Sequence, residues 1–142
     1  MKNLSFDEIK QVLNIVEKSY IVHEKWYEDL IKTLLCRLPI EDRFIGKCPH
    51  QKCQFGQWLY SENSRHLRNL PAFIKIEALH DRMHASAKEM CVRMKTTGFV
   101  LEHDYVAFLQ HVHLFRENMN EFKHRVLSTL AHVENDAVEV KK

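Results

Sequence analysis

The chain has 142 residues, of which 45% are hydrophobic and 28% are charged, and its formal net charge is +2. This length and composition predict one soluble domain that buries enough apolar surface to fold without disulfides. The small net charge, with no basic stripe, gives no electrostatic case for nucleic-acid binding. No apolar run is long enough for membrane insertion and the first residues lack the apolar core of a secretory signal, so we expect a cytoplasmic protein with reduced cysteines.

Three long segments repeat apolar residues in steps of three and four, which places each set on one face of a helix. They run from Phe6 to Leu34, from Phe73 to Met94 and from Leu101 to Leu130. Three such helices predict an all-α fold, an antiparallel helical bundle. The stretch 39–70 is irregular, and its apolar segment 55–60 predicts one short helix in this connection.

Local signals mark the ends of these helices. Ser5, with Glu8 three residues later, predicts a capping box at the start of the first helix. Pro71 suits the first turn of the middle helix. Gly98 separates the middle helix from the last one, as glycine commonly does after a helix. The three helices are therefore expected to be separate elements.

The periodic pattern stops after about residue 133. We therefore expect a folded domain over residues 1–133 and a polar tail or linker stub over residues 134–142. The first helix also carries a second apolar stripe, which indicates either a wide core-facing arc or a surface for a partner chain. This stripe consists of Val12, Ile15, Val22 and Trp26.

Histidines on the predicted buried faces indicate a metal site. His80 and His84 are four residues apart, so both imidazoles lie on one face of the middle helix. His23 occupies a buried-face position on the first helix. A single buried histidine is usually a core residue with one hydrogen bond, but three have more polar ring atoms to satisfy, and a shared cation satisfies three at once. A fourth ligand is then expected from the irregular segment, which offers Cys48, His50 and Cys53.

Residues 53–58 read Cys-Gln-Phe-Gly-Gln-Trp, which resembles the Cys-x-Phe-Gly-x-Trp signature of the chemoreceptor zinc-binding (CZB) domains. His23 followed by Trp26 matches the early histidine and tryptophan of that family, and His80 and His84 match its paired histidines. The resemblance extends over residues 7–133. It implies that one zinc ion per chain is bound by His23, Cys53, His80 and His84. Cys48 and His50 are outside that motif, and we favour surface residues over spare ligands that modulate access.

The resemblance also implies a function. CZB domains accompany bacterial chemoreceptors and diguanylate cyclases, and in the cyclases they are zinc-controlled regulators that form symmetric dimers. We therefore expect a sensory domain without catalytic residues that controls a c-di-GMP or chemotaxis output through zinc occupancy. We further expect a homodimer, whose output domain lies in a longer protein or in a separate signalling partner, since the chain has no Gly-Gly-Asp-Glu-Phe signature.

Two alternatives keep the zinc site but change its role. Zinc-bound sulfur is a thiolate and can be oxidised with release of the metal, so Cys53 is a candidate redox sensor. Alternatively, zinc only stabilises the fold, and then its removal unfolds the domain. The sensor interpretation instead predicts a folded, altered metal-free state.

Two other classes of site fit less well. The segment from His80 to His84 resembles the zinc-protease His-Glu-x-x-His motif, but Asp81 replaces the glutamate base and four protein ligands leave no open position for water. A di-iron bundle needs repeated Glu-x-x-His pairs, whereas Glu77 with His80 is one pair that the other helices do not repeat with a buried partner. Neither hydrolysis nor di-iron or haem binding is therefore favoured.

Overall fold

The computed structural model describes residues 4–140, and the side chains of residues 4–132. Within this range all regular structure is helical. The elements in chain order are α1 (Phe6–Leu35), α2 (Asp42–Ile45), α3 (Pro49–Lys52), α4 (Gln54–Leu59), a 3-10 helix (Glu62–Leu67), α5 (Pro71–Thr97) and α6 (Glu102–Val140). The prediction of three long helices is confirmed. The short helix predicted in the connection is α4, and two more short α-helices and the 3-10 helix accompany it.

The predicted helix ends are found where the sequence signals lie. The Ser5 hydroxyl accepts a hydrogen bond from the backbone N–H of Glu8 at 3.2 Å, and the Glu8 carboxylate accepts one from the Ser5 N–H. Pro71 begins α5. Gly98 ends α5 in the left-handed conformation, with φ of 82°. Because glycine has no Cβ atom, this conformation causes it little steric strain.

The three long helices do not all alternate in direction. Pairs along α1 and α6, from Glu17 with Lys123 to Glu24 with Arg116, show that these two helices are antiparallel. The loop between α5 and α6 spans four residues, so these helices form an antiparallel hairpin. Consequently α1 and α5 run in the same direction. The connection between them must therefore return along the length of the bundle, which brings its middle beside the middles of α1 and α5.

The predicted buried faces are largely the observed ones. On α6, for example, the apolar positions from Phe108 to Val126 are buried as expected. The exception is Tyr105, which is 40% exposed, whereas the preceding Asp104 is 6% exposed. The reason is an ion pair across the hairpin, because the Asp104 carboxylate contacts the Arg93 guanidinium at 2.8 Å.

The second apolar stripe of α1 belongs mainly to the core. Val12 and Trp26 are buried within the monomer, and Ile15 and Val22 are half-buried. The structure thus favours the wide core-facing arc over a stripe that needs a partner to cover it. At the other end of the chain, α6 continues to Val140, while the side chains of the tail expected over residues 134–142 lie outside the described residues.

Core side chains anchor the connection to the bundle. Phe44 in α2 and Phe55 in α4 are both buried, on either side of Cys53 in the sequence. Polar contacts add to this, since the Lys88 ammonium on α5 donates to the Gly46 carbonyl at 3.1 Å. Cys53 is therefore carried by a packed segment. No helix in the described part of the chain is both long and apolar enough to cross a membrane.

Candidate metal centre

Four side chains from three parts of the chain meet in the middle of the bundle. His23 comes from α1, Cys53 from the junction of α3 and α4, and His80 and His84 from α5. One potential ligand atom from each lies within 4.8 Å of the others. The structure therefore brings together the four residues that the sequence resemblance singled out as ligands.

Three of the four donor atoms lie at distances close to those that a tetrahedral ion needs. The Nε2 atoms of His23 and His80 are 3.1 Å apart, and the Cys53 Sγ atom lies 3.2 Å from His80 Nε2 and 3.9 Å from His23 Nε2. Ordinary zinc–nitrogen and zinc–sulfur bond lengths at tetrahedral angles place such atoms about 3.3–3.6 Å apart. Shifts of a few tenths of an ångström between these atoms would bring them to that spacing.

The orientation of the His23 ring is set from within its own helix. Its Nδ1 atom lies 2.9 Å from the Ser19 carbonyl oxygen, one turn earlier, and 3.1 Å from the Ser19 hydroxyl. The carbonyl can only accept, so Nδ1 carries the proton and donates it. Nε2 then keeps its lone pair and faces the other three side chains. Such a bond on the far ring nitrogen is common for metal-binding histidines.

The position of Cys53 depends on a close approach between two short helices. Cys53 caps α4, and its sulfur accepts a hydrogen bond from the Gly56 N–H at 3.2 Å. A Cβ atom on Gly56 would lie 1.7 Å from the carbonyl oxygen of His50 in α3. Glycine is therefore required at this position for α3 and α4 to pack as they do.

Burial keeps the three imidazoles neutral. Loss of solvent lowers the pKa of His23 to about 4 and the pKa of His84 to about 3, and neighbouring imidazoles add to the effect on His84. The pKa of His80 lies well below its ordinary value for the same reasons. Burial also raises the pKa of the Cys53 thiol, although hydrogen bonds from backbone N–H groups oppose this. Neutral imidazoles are the form that binds a metal.

Unpaired ring nitrogens show that the site suits a cation. Both nitrogens of His84 and the Nδ1 atom of His80 are buried without a hydrogen-bond partner among the described residues. Each such group costs roughly 1–3 kcal/mol when it stays unpaired. One ion at the centre would bind a nitrogen from each ring and a thiolate. The donor set of three imidazoles and one sulfur fits zinc.

Aromatic rings enclose the four side chains. The Trp26 ring lies 4.6 Å from the His84 ring, and Phe55 packs edge-on against His23 and His80. Trp26 therefore packs directly against the candidate site. On one side a cleft of about 470 Å³ reaches from the surface to His23, Cys53 and His84. Small molecules dissolved in the solvent can thus approach three of the four side chains through this cleft.

The other candidates lie outside this group. Cys48 is exposed, and His50 is half-buried with its Nδ1 atom 3.3 Å from the Asp81 carboxylate. Glu24 is exposed and pairs with Arg116. Glu24 and Asp81 are thus surface charges, and neither hydrogen-bonds a ring nitrogen of His23, His80 or His84.

Comparison with known proteins agrees with this arrangement. Residues 23–91 match the family model described as the chemoreceptor zinc-binding domain, a range that begins at His23 and contains Cys53, His80 and His84. The chain carries a CZB domain. Its fold is similar to a solved structure titled the regulatory CZB domain of DgcZ, with a TM-score of 0.70 and 19% sequence identity. That similarity covers 84% of this chain and 98% of the other. No curated protein sequence matches the chain.

Two features of this CZB domain were missed in the sequence. Ser19 orients His23, and its position four residues earlier on the same helix was the available signal. Phe115 packs against the rings of His23 and His80, at 5.1 Å and 5.5 Å between ring centres. Phe115 lies within the apolar repeat from Leu101 to Leu130, but periodicity does not say which residue of another helix it meets.

Proposed function

We propose that this CZB domain binds one zinc ion through His23, Cys53, His80 and His84 and regulates a signalling output through zinc occupancy. The observation that carries the proposal is the convergence of these four side chains with three unpaired imidazole nitrogens. Zinc, when bound, would take one nitrogen of each ring as a ligand, including one of the two unpaired nitrogens of His84, and would keep the sulfur as a thiolate. With four protein ligands the ion has no position left for a reactive water, which favours regulation over hydrolysis.

Packing around the site supports sensing over a purely structural role. The core extends along all three long helices, and buried residues such as Ile9 and Val126 lie many helical turns from the site. The connection is anchored by Phe44 and Phe55 independently of a metal. A domain with this much apolar contact should remain folded when zinc is removed, so that occupancy can change its state without unfolding it.

The output and the assembly follow by analogy with the family. We infer an effector of the diguanylate cyclase or chemotaxis type, in the same polypeptide or in a separate partner, and a cytoplasmic setting. The related solved structure is titled a regulatory domain of DgcZ. We infer a homodimer as well, with exposed apolar residues such as Ile21 on α1 available for contact. Light scattering of the purified domain would measure its mass, and a strictly monomeric mass at high concentration would contradict the dimer.

Metal analysis tests the zinc site. We expect one zinc per chain in the purified protein, with strong loss in Cys53→Ala and retention in Cys48→Ala. Both substitutions remove a thiol from the connection, but Cys48 is exposed and outside the group. Circular dichroism of the chelated protein separates the two roles of zinc. Retained helicity supports a regulatory role, whereas unfolding supports a purely structural one.

A redox role is the second candidate, since the cleft reaches Cys53 from the surface. Hydrogen peroxide would transfer one oxygen to the Cys53 thiolate, giving a sulfenic acid and hydroxide, which takes a proton from solvent to form water. A bound zinc would thereby lose its sulfur ligand. Titration with hydrogen peroxide in the presence of a zinc-sensitive dye tests this. Zinc release with a sulfenic acid at Cys53 would support it, and no release at modest peroxide would set it aside.

A further inference from the structure

The long helix α6 provides none of the four candidate ligands, yet one of its rings touches them. Phe115 packs against His23 on α1 and against His80 on α5. Its ring also lies 6.1 Å from Phe55, two residues after Cys53. Among the aromatic rings of α6 that the structure describes, Phe115 is the one paired with a candidate ligand. It therefore meets all three elements that bear the site.

The neighbouring rings of α6 contact the site less directly or lie away from it. Phe108, two turns earlier, packs against Trp26, which in turn lies on His84. Phe122, two turns later, is equally buried, with 2% of its surface exposed against 4% for Phe115. Phe122 has no ring contact with the ligands among the described residues. The helix thus offers two similar phenylalanines, of which one touches the site.

Little empty space surrounds the Phe115 ring, so a shift of its neighbours reaches it. A cavity of about 20 Å³ lies between α1 and α6, lined by His23, Phe115 and Met83 among others. The Nε2 atoms of His23 and His80 are 3.1 Å apart, and zinc binding would move them apart by a few tenths of an ångström. Densely packed interiors transmit such shifts to the side chains in contact. Phe115 is the contact by which they would reach α6.

We propose that Phe115 is the positioning residue that couples the occupancy of the metal site to α6. The inference rests on the proposed zinc-dependent function and specifies its route. It requires that zinc change the stability or packing of α6, and that this change depend on the Phe115 ring. Coupling free energies between sites typically correspond to about 5–150-fold changes in an equilibrium.

Hydrogen exchange along α6, with and without zinc, tests the coupling. In the wild-type protein we expect zinc to slow exchange around residues 108–126 by about fivefold or more. In Phe115→Leu this zinc-dependent difference should largely disappear, while zinc content stays at one per chain. In Phe122→Leu the difference should persist. Both substitutions remove similar buried volume from the same helix, so a general loss of stability would affect them alike.

The outcomes separate this inference from the function on which it rests. If zinc binds but changes exchange nowhere in the wild-type protein, the regulatory function fails. If zinc changes exchange elsewhere but not along α6, the function stands and the coupling through Phe115 is overturned. If zinc protects α6 equally in the wild type, Phe115→Leu and Phe122→Leu, the function stands and the role of Phe115 is overturned. Should Phe115→Leu not fold, Phe115→Met retains more of the side-chain volume without the ring. It should show the same loss of zinc-dependent protection.

Discussion

The Nε2 atoms of His23 and His80 lie 3.1 Å apart, although the two residues are 57 positions apart in the sequence. At this distance the two neutral imidazoles form a hydrogen bond, in which one Nε2 atom donates its N–H and the other accepts with its lone pair. His23 donates its proton from Nδ1 to the Ser19 carbonyl, so its Nε2 atom holds the lone pair. His80 must then carry its proton on Nε2 when no metal is bound. A zinc ion requires the opposite, because both Nε2 atoms must offer lone pairs.

A tautomer change at His80 on zinc binding is therefore the first prediction. Nitrogen NMR of labelled protein should show an Nε2–H imidazole for His80 in the chelated state and an Nδ1–H imidazole in the zinc state. His23 should remain Nδ1–H in both states and serves as the internal reference. An Nδ1–H tautomer of His80 already present before zinc is added would contradict the prediction.

The metal-free domain should lose stability in acid. The folded state holds the pKa of His23 at about 4 and that of His84 at about 3, below the ordinary value of 6.5. Below pH 6.5 the unfolded chain therefore binds protons that the folded chain does not. Stability should be fully present above pH 6.5 and fall as the pH drops toward 4, by up to about 1.4 kcal/mol per pH unit for each imidazole.

Urea unfolding of the chelated protein between pH 7.5 and pH 4.5 measures this effect. The variant His113→Gln removes an exposed histidine of α6 and should leave the pH dependence unchanged. His84→Gln should reduce the slope, since one buried imidazole is gone. A stability that is flat across this pH range would show that the buried rings titrate normally.

The sequence predicted the helices well because their signals are local. Capping by Ser5 and Glu8 and the turn at Gly98 depend on residues within a few positions of each other. Tyr105 was predicted to be buried, and that was wrong because periodicity does not register an ion pair. Asp104 is buried in its place by Arg93, which belongs to a different helix.

The candidate site was predicted only partly from the residues themselves. Helical spacing grouped His80 with His84, and the buried face of α1 added His23. The choice of Cys53 over Cys48 came from resemblance to a family, since their spacing alone did not distinguish them. The structural reason for that choice is three-dimensional: the connection returns along the bundle and turns the Cys53 sulfur inward, while Cys48 stays at the surface.

Alanine at position 56 should damage the site without touching a ligand. The added methyl group of Gly56→Ala would clash with the His50 carbonyl, so α3 and α4 must separate and Cys53 must move. We expect weaker zinc binding by tenfold or more, together with a loss of stability of about 1–3 kcal/mol. Chelator competition and urea unfolding measure the two effects. Gln54→Ala changes an exposed side chain on the same short helix and should alter neither. Normal zinc affinity in Gly56→Ala would argue against this account.

The four cysteines should differ in their reactivity toward iodoacetamide. Cys36 and Cys48 are exposed, whereas Cys91 is buried and burial raises its pKa to about 11. In the chelated protein we expect rapid alkylation of Cys36 and Cys48, slow alkylation of Cys53 and none of Cys91 before unfolding. Zinc should protect Cys53 alone. Peptide mass spectrometry reads each site, and equal labelling of Cys53 with and without zinc would contradict its role as a ligand.

The ion pair at the α5–α6 hairpin should contribute to stability because one partner is buried. The Asp104 side chain is 5% exposed and contacts Arg93 at 2.8 Å, with one carboxylate oxygen otherwise unpaired. Arg93→Met removes the guanidinium and leaves this carboxylate beside only the His103 imidazole, at 3.4 Å, so it should destabilise the fold by about 1–3 kcal/mol. Arg125→Met breaks an exposed pair with Glu121 on α6 and should cost less than about 0.5 kcal/mol. Equal midpoints of urea unfolding for the two variants would mean that the buried carboxylate finds another partner. Zinc content should be unchanged in both variants because the pair lies away from the site.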